Sequence, residues 1–236
     1  MIMLGDVHGN WELLASVIKK FPSDNIFCLG EFGYWPKHDR FILPPVKNKV
    51  YFIDGNHEDF WSLRDNGYLD ATSPQEIREN YFYVPRGIIV EIEEAKILCC
   101  GGGTSLDKAF RTIGETWFPE EEISYSDMQR CLKQLENNEV DYVFTHSAPS
   151  LFEIKKSINL LPFTSPSEII LNEIIEQVVK QEIPPFWFFS HYHTHAKNIY
   201  CDEVNKKYMP WRCLKIGETF GIGDSYVPND IFKDKN

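Results

Sequence analysis

The chain has 236 residues, 43% of them hydrophobic and 14% aromatic, which is enough apolar material for a buried core and excludes a disordered chain. Its formal charge of −11 argues against a basic nucleic-acid-binding face, and the sequence contains no apolar run long enough to cross a membrane. Six cysteines lie scattered, mostly within apolar runs and without a CxxC pair, which predicts a reducing compartment, the cytoplasm.

Five segments share one pattern, an apolar run followed by a tight polar turn. Runs of this kind are typical of strands buried on both faces. In chain order the segments are MIML-GDVHGN (1–10), NIFCL-GEFG (25–33), KVYFID-GNHED (49–59), VDYVF-THSAPS (140–150) and FWFFS-HYHTH (186–195).

Helical periodicity alternates with these strands. After Asn10, a suitable N-cap, apolar residues recur at helical spacing at Trp11, Leu14, Ile18 and Phe21. Similar stripes predict helices within 126–137 and 165–181, and Ser167 before Glu168 resembles the start of the second.

The segment 80–105 and the segment 197–217 differ, because both are typical of short strands joined by turns. Alternating α and β units around such hairpins predict a layered α/β sandwich with mixed sheets. No linker is evident, so we expect residues 1–236 to form a single domain.

Polar side chains follow every one of the five predicted strands. In an open α/β sheet, ligands bind beyond the carboxyl ends of the strands. Each residue alone is more typical of a turn or a hydrogen-bonded loop, but their recurrence at one sheet edge favours a site. In chain order they are Asp6, His8, Glu31, Asn56, His57, His146, His191 and His193.

The donor types restrict the chemistry of that edge. Imidazole and carboxylate together suit Zn, Mn, Fe, Ni or Co rather than Ca. The candidates are more numerous than one tetrahedral ion requires. Two ions that share a carboxylate fit the number better, and such a pair is suited to in-line attack at phosphorus.

The motifs GDVHGN, GEFG, GNHED, THSAP and SHYH resemble, in this order, the blocks of the calcineurin-like metallophosphoesterases of bacterial or phage type. That family's pattern is D-x-H, G-D-x-x-D, G-N-H-[ED], a histidine and G-H-x-H, and the resemblance covers residues 5–193. It implies a four-layer α-β-β-α sandwich and a metal-dependent phosphoric ester hydrolase, either a phosphatase or a phosphodiesterase.

The resemblance also implies roles for single residues. Glu31 would bridge two divalent ions, manganese being favoured over iron, zinc or nickel, and a metal-bridging hydroxide would be the nucleophile. His57 would act in catalysis, by protonating the leaving oxygen or steadying the transition state. The implied ligands are Asp6, His8 and His193 for the first ion and Asn56, His146 and His191 for the second.

The chain departs from the family pattern at two informative positions. Glu31 replaces the usual Asp, so we expect Glu31→Asp to keep or raise activity. Gly33 and Tyr34 stand where the protein-phosphatase branch has an Asp-Arg pair, which argues against a phosphoprotein phosphatase.

Substrate contacts are expected from other segments. In 101–122, three glycines permit close backbone approach, and Lys108 and Arg111 are candidate phosphate contacts; a β-turn and a surface ion pair are the alternative. Tyr34 and His195 are further candidates, His195 without direct ligation. Aromatic residues either stack on a nucleobase or pack the core; they are Tyr34, Trp35, Phe60, Trp61, Trp117 and Phe118.

The leading hypothesis is a dinuclear-metal hydrolase of phosphate mono- or diesters, with a nucleotide, a nucleic-acid end or a phosphoprotein as its candidate substrates. The alternative is a metal-binding scaffold or protein-recruiting subunit of the same fold, which the Glu31 replacement favours. A dinucleotide-binding Rossmann module is excluded because no G-x-G-x-x-G turn opens a helix.

Overall fold

The computed structural model describes residues 1–154 and 164–222. In this part of the chain the α-helices are Trp11–Lys20 (α1), Phe60–Asp65 (α2), Tyr125–Leu135 (α3) and Pro166–Val178 (α4). The strands are Ile2–Leu4 (β1), Ile26–Cys28 (β2), Val50–Phe52 (β3), Gln75–Arg78 (β4), Tyr81–Tyr83 (β5), Ile88–Ile92 (β6), Ala95–Cys100 (β7), Tyr142–Thr145 (β8), Phe186–Phe189 (β9), Ala196–Asp202 (β10), Lys207–Cys213 (β11) and Thr219–Gly221 (β12).

The strands form two six-stranded mixed sheets. The first has the order β12-β1-β2-β3-β5-β4 and the second β10-β11-β9-β8-β7-β6. In each sheet the four central strands run parallel, and an antiparallel strand lies at each edge. The five strands predicted from apolar runs are β1, β2, β3, β8 and β9, so those predictions are confirmed.

On each central strand, successive side chains face alternately the layer between the two sheets and the outer layer covered by helices. Phe27 and Phe144 face the layer between the sheets, whereas Cys28 and Val143 face the outer layers. Helices α1 and α2 cover the first sheet, and α3 and α4 cover the second. The result is the expected four-layer α-β-β-α sandwich, and it explains why these runs are apolar on both faces.

Helix ends follow local capping rules. The Asn10 side chain accepts a hydrogen bond from the Leu13 N–H at 3.0 Å, which confirms the predicted N-cap of α1. The predicted start of α4 at Ser167 is wrong, because Ser165 caps the helix and shares a capping box with Glu168. None of the helices in the described residues is long and apolar enough to cross a membrane.

Candidate metal centre

The carboxyl ends of the central strands of both sheets meet at one edge of the sandwich, and the loops there carry the predicted site residues. Four of these residues have a left-handed backbone, a conformation that non-glycine residues adopt at a cost and that is concentrated at functional sites. Their φ angles are 51° at His8, 47° at Glu31, 68° at His191 and 51° at His193.

Asp6, His8 and His193 form one group, called here the outer group, in which a ligand atom from each residue lies within 4.8 Å of the others. The Nε2 atoms of His8 and His193 are 3.2 Å apart, and His193 Nε2 is 3.4 Å from Asp6 Oδ2. Asp6 is buried, whereas both histidines are exposed. This is the set that the resemblance implied for the first ion.

Glu31, His146 and His191 form the second group, called here the inner group, with the same spacing of ligand atoms. His146 Nε2 lies 3.3 Å from Glu31 Oε1 and 3.1 Å from His191 Nδ1. Asn56 joins them, since its Oδ1 is 3.0 Å from His146 Nε2. All three implied ligands of the second ion therefore lie together, beside Glu31.

Glu31 connects the two groups through its two carboxylate oxygens. Oε1 faces His146 in the inner group, and Oε2 lies 3.3 Å from His8 Nδ1 in the outer group. Glu31 Oε2 and Asp6 Oδ2 are buried and accept no hydrogen bond from any described residue. Buried carboxylate oxygens without donors are costly, and a bound cation removes that cost.

The orientation of His146 gives a further test of fit for a metal. Its Nδ1 is 3.0 Å from the Leu29 carbonyl oxygen, which only accepts, so Nδ1 carries the proton. The Nε2 lone pair then faces the oxygens of Glu31 and Asn56, and this convergence of lone pairs suits a bound cation. A carbonyl behind a histidine in this way is a common support for a metal ligand.

When no ion is bound, the pKa values of these groups shift because the buried carboxylates and imidazoles lie so close together. Burial lowers the pKa of His146, but Glu31 and Asp6 raise it more, to about 9. Burial and the neighbouring His146 hold the pKa of His191 well below its usual value. Burial raises the pKa of Asp6. Burial raises the pKa of Glu31, but the nearby His146 and His8 outweigh it and lower the pKa.

Several supporting groups were absent from the sequence predictions. The Asn56 side-chain amide donates to Ser105 Oγ at 2.9 Å, which turns its Oδ1 toward His146. The Ser190 hydroxyl donates to the Leu29 carbonyl oxygen at 2.6 Å and lies 3.2 Å from His146 Nδ1. Serines carry no motif signal, because their role depends on the packing of one sheet against the other.

The GNHED motif contains another buried support, Glu58. Its carboxylate accepts hydrogen bonds from the backbone N–H groups of residues 32, 33 and 34. Burial, and then the nearby Glu31, raise the pKa of Glu58 to about 7. Glu58 thus ties the third-strand loop to the loop that carries Glu31.

His57 lies at the centre but outside both ligand groups, with Nε2 at 3.8 Å from Glu31 Oε1. Arg111 covers it: Nη1 is 2.5 Å from His57 Nδ1 and Nη2 is 3.0 Å from Nε2. Arg111 is in turn held by Asp107 at 2.8 Å. Burial lowers the pKa of His57, and Arg111 lowers it further while Glu31 opposes the shift.

Two cavities open on either side of His57. One, of about 340 Å³, borders the inner group and is also lined by Arg111, Asp107 and Tyr192. The other, of about 660 Å³, borders His8 and is lined by aromatic side chains. Both linings include Glu31 and His57, so the cavities meet at the metal centre. Arg111 therefore lies where we expected a substrate contact.

The other three expected substrate contacts lie elsewhere. Tyr34 is 4% exposed and packs against Phe41 in the core, because its N–H turns inward to Glu58. Lys108 is half exposed, 3.7 Å from Glu122, and is not among the residues that line these two cavities. His195 pairs with Glu218 at 2.6 Å and faces a different groove. Their positions give no support to a substrate contact.

The three glycines of 101–103 approach other chain segments closely rather than forming a β-turn. A Cβ at Gly103 would lie 2.7 Å from Ser147 Oγ, and one at Gly101 would lie 2.5 Å from the Asp54 carbonyl oxygen. Small residues are required here because this strand end packs directly behind the inner group.

The calcineurin-like phosphoesterase profile matches residues 2–195, most of the chain. The chain belongs to the calcineurin-like phosphoesterase family. A comparison with curated proteins finds no match. Members of this family are metal-dependent phosphoesterases that typically bind divalent metals. In this calcineurin-like phosphoesterase, the two candidate ligand groups lie where the family motifs meet.

Proposed function

We propose that this phosphoesterase binds two divalent ions, manganese being favoured, and uses them to hydrolyse phosphate mono- or diesters. One observation carries the proposal: Glu31 belongs to the inner group, where its Oε1 faces His146, and its Oε2 faces His8 of the outer group. Glu31 would hold both ions, together with the other residues of the two groups. When bound, the two ions would supply an activated water as nucleophile and positive charge for the phosphoryl oxygens.

The chain itself positions the ester. Arg111 is partly buried, is held by Asp107, and lines the smaller cavity together with Asn56. A guanidinium binds phosphate oxygens in a bidentate manner. The positive charge of Arg111 also opposes a second positive charge on His57. We therefore assign His57 to hydrogen bonding with the transition state, rather than to full protonation of the leaving group.

The substrate in this proposal is a phosphate ester, with a nucleotide or a nucleic-acid end as the candidates. The scaffold alternative depended on Glu31 being unsuited to bridge two ions. The position of its two carboxylate oxygens supports hydrolysis instead. The cytoplasm is the proposed location, since all six cysteines are free and five are buried. A single domain remains our proposal for residues 1–236, of which 155–163 and 223–236 lie outside the described residues.

Metal reconstitution tests the proposal. Metal-free protein is loaded with Mn²⁺, the bound ions per chain are counted, and hydrolysis of bis(p-nitrophenyl) phosphate and p-nitrophenyl phosphate is measured. We expect two ions and activity on at least one ester, with the ratio of the two rates defining the preferred class. Glu31→Gln is the matched variant, since it keeps the size of the side chain but removes its charge, and it should bind fewer ions. Inactivity with Mn, Fe, Zn and Ni alike would refute hydrolysis.

A further inference from the structure

The larger of these two cavities, called here the aromatic groove, begins at His8 of the outer group. Its volume of about 660 Å³ lies within the usual range for sites that bind drug-sized molecules. Trp11, Trp35 and Phe41 line it, and each is partly exposed. An ester held between the ions would therefore have this groove on one side, beside His8.

Both indole N–H groups are already hydrogen-bonded within the groove, so the part of each ring that remains exposed is apolar. The Trp11 Nε1–H donates to the Arg40 carbonyl oxygen at 2.7 Å, and the Trp35 Nε1–H donates to the His57 carbonyl oxygen at 2.9 Å. Trp11 is further fixed by edge-to-face contact with Phe41, at 5.4 Å between ring centres. Rings held in this way offer a preorganised apolar surface with little entropy to lose on binding.

Polar groups surround this apolar surface. His38 and Arg40 are exposed, and no carboxylate of the described residues lies within ion-pair distance of Arg40. Glu115 and Thr116 complete the lining. A flat apolar surface with a few hydrogen-bonding groups suits an aromatic heterocycle that carries donors and acceptors. The smaller cavity is lined by Thr104, Ser165 and Glu168 among others, and none of its described lining residues is a tryptophan or a phenylalanine.

We propose that the aromatic groove binds the base of a nucleotide whose phosphate lies at the metal centre, so that the substrate class is nucleotide esters. This inference rests on the proposed function. The net charge of −11 favours a mononucleotide over a long polynucleotide, because a polynucleotide needs an extended basic track. Base stacking on aromatic side chains is strong enough to change kcat/KM about tenfold or more.

Matched esters test the groove. The monoester pair is adenosine 5′-monophosphate and ribose 5-phosphate, which lose the same type of alcohol and differ in the base alone. The diester pair is thymidine 5′-(p-nitrophenyl phosphate) and p-nitrophenyl methyl phosphate. We expect kcat/KM to favour the nucleotide at least about tenfold in the ester class that the protein hydrolyses. Equal values within the pair, or activity confined to phosphopeptides or long polynucleotides, would overturn the inference while leaving hydrolysis in place.

Variants of a groove residue test whether the preference for the nucleotide arises in the aromatic groove. Trp11→Ala should remove most of the preference, Trp11→Phe should restore it, and Tyr208→Ala, an exposed aromatic residue of another cavity, should leave it unchanged. A preference that survives Trp11→Ala places the base elsewhere. If Trp11→Ala does not fold, competitive inhibition of the wild-type protein by adenosine is compared with inhibition by ribose. If no ester is hydrolysed, the proposed function fails, and equilibrium dialysis of adenosine 5′-monophosphate against ribose 5-phosphate decides on the groove separately.

Discussion

The inner and outer ligand groups differ in depth and in support. In the inner group, Glu31 and His146 are buried and His191 is partly buried, whereas in the outer group only Asp6 is buried. The inner ligands are oriented by the Leu29 carbonyl oxygen and by Ser105. His8 and His193 instead lie at the mouth of the site, with their rings in contact.

This difference has a physical consequence for metal binding. A group fixed by packing and hydrogen bonds loses little freedom when an ion binds, so it is expected to hold the ion more tightly. Exposed ligands keep more solvent and exchange the ion more readily. We therefore expect the inner position to fill first and the outer ion to be the more easily removed by a chelator.

The largest effect is expected from His146→Ala. The imidazole is fully buried beside Glu31 and Asp6, so its removal leaves buried carboxylates without a partner and costs about 3–5 kcal/mol. Activity should be lost. His193→Ala, at a side chain 49% exposed, should change the stability of the metal-free protein by less than about 0.5 kcal/mol while removing one ion. Urea unfolding measures the stability of both variants, and metal analysis measures their ion content. Equal destabilisation of the two variants would contradict the difference in support between the inner and outer groups.

A smaller loss is expected from His57→Ala, which tests where the ligand groups end. Because His57 lies outside both groups, the variant should keep both ions while kcat falls about 10²- to 10⁴-fold. Steady-state kinetics and metal content should be measured on the same sample. Loss of an ion would make His57 a ligand and would require a different division of the site.

The candidate ligand set was predictable because the end of each strand is a local feature of the sequence. An apolar run fixes each strand, and the polar residue after it must lie at the carboxyl edge. The hydrogen bonds that orient the ligands were not predictable in the same way. Ser105 reaches Asn56 and Leu29 reaches His146 only once the two sheets have packed, across 49 and 117 residues of sequence.

Two further differences from the sequence predictions had other causes. The S-x-x-E capping box that starts α4 was present in the sequence at Ser165, so this prediction failed by choosing the nearer serine. Tyr34 was a candidate substrate contact, but Glu58 accepts hydrogen bonds from the backbone N–H groups around it and the ring lies in the core. That interaction between two motifs leaves no periodic signal.

Glu31→Asp tests the link between the groups, and here the structure changes the expectation. From sequence alone the shorter family residue should keep or raise activity. Glu31 Oε1 lies 3.3 Å from His146 and Oε2 3.3 Å from His8, and a side chain one methylene shorter on this backbone withdraws from both. We now expect metal affinity about 10- to 100-fold lower, with the outer ion affected more. Calorimetric titration with Mn²⁺ measures the metal affinity. Unchanged affinity would mean that Asp bridges the two ions as well as Glu does.

The smallest effect concerns Glu121, which lies behind the inner group. Its Oε1 accepts a hydrogen bond from the Ser105 N–H at 2.9 Å, and burial raises its pKa from 4.5 to about 7, with Ser105 and Arg111 opposing the rise. A carboxyl group with a raised folded-state pKa contributes stability that is complete below pH 4.5 and is lost as the pH rises through about 7. Gln does not ionise, so Glu121→Gln should gain stability relative to the wild type as the pH rises across that window, by about 1–2 kcal/mol. Urea unfolding of both metal-free proteins at pH 5 and pH 8 measures the change. An equal difference at the two pH values would mean that Glu121 is already ionised in the folded protein, and that the inner group has a charged rather than a neutral support behind it.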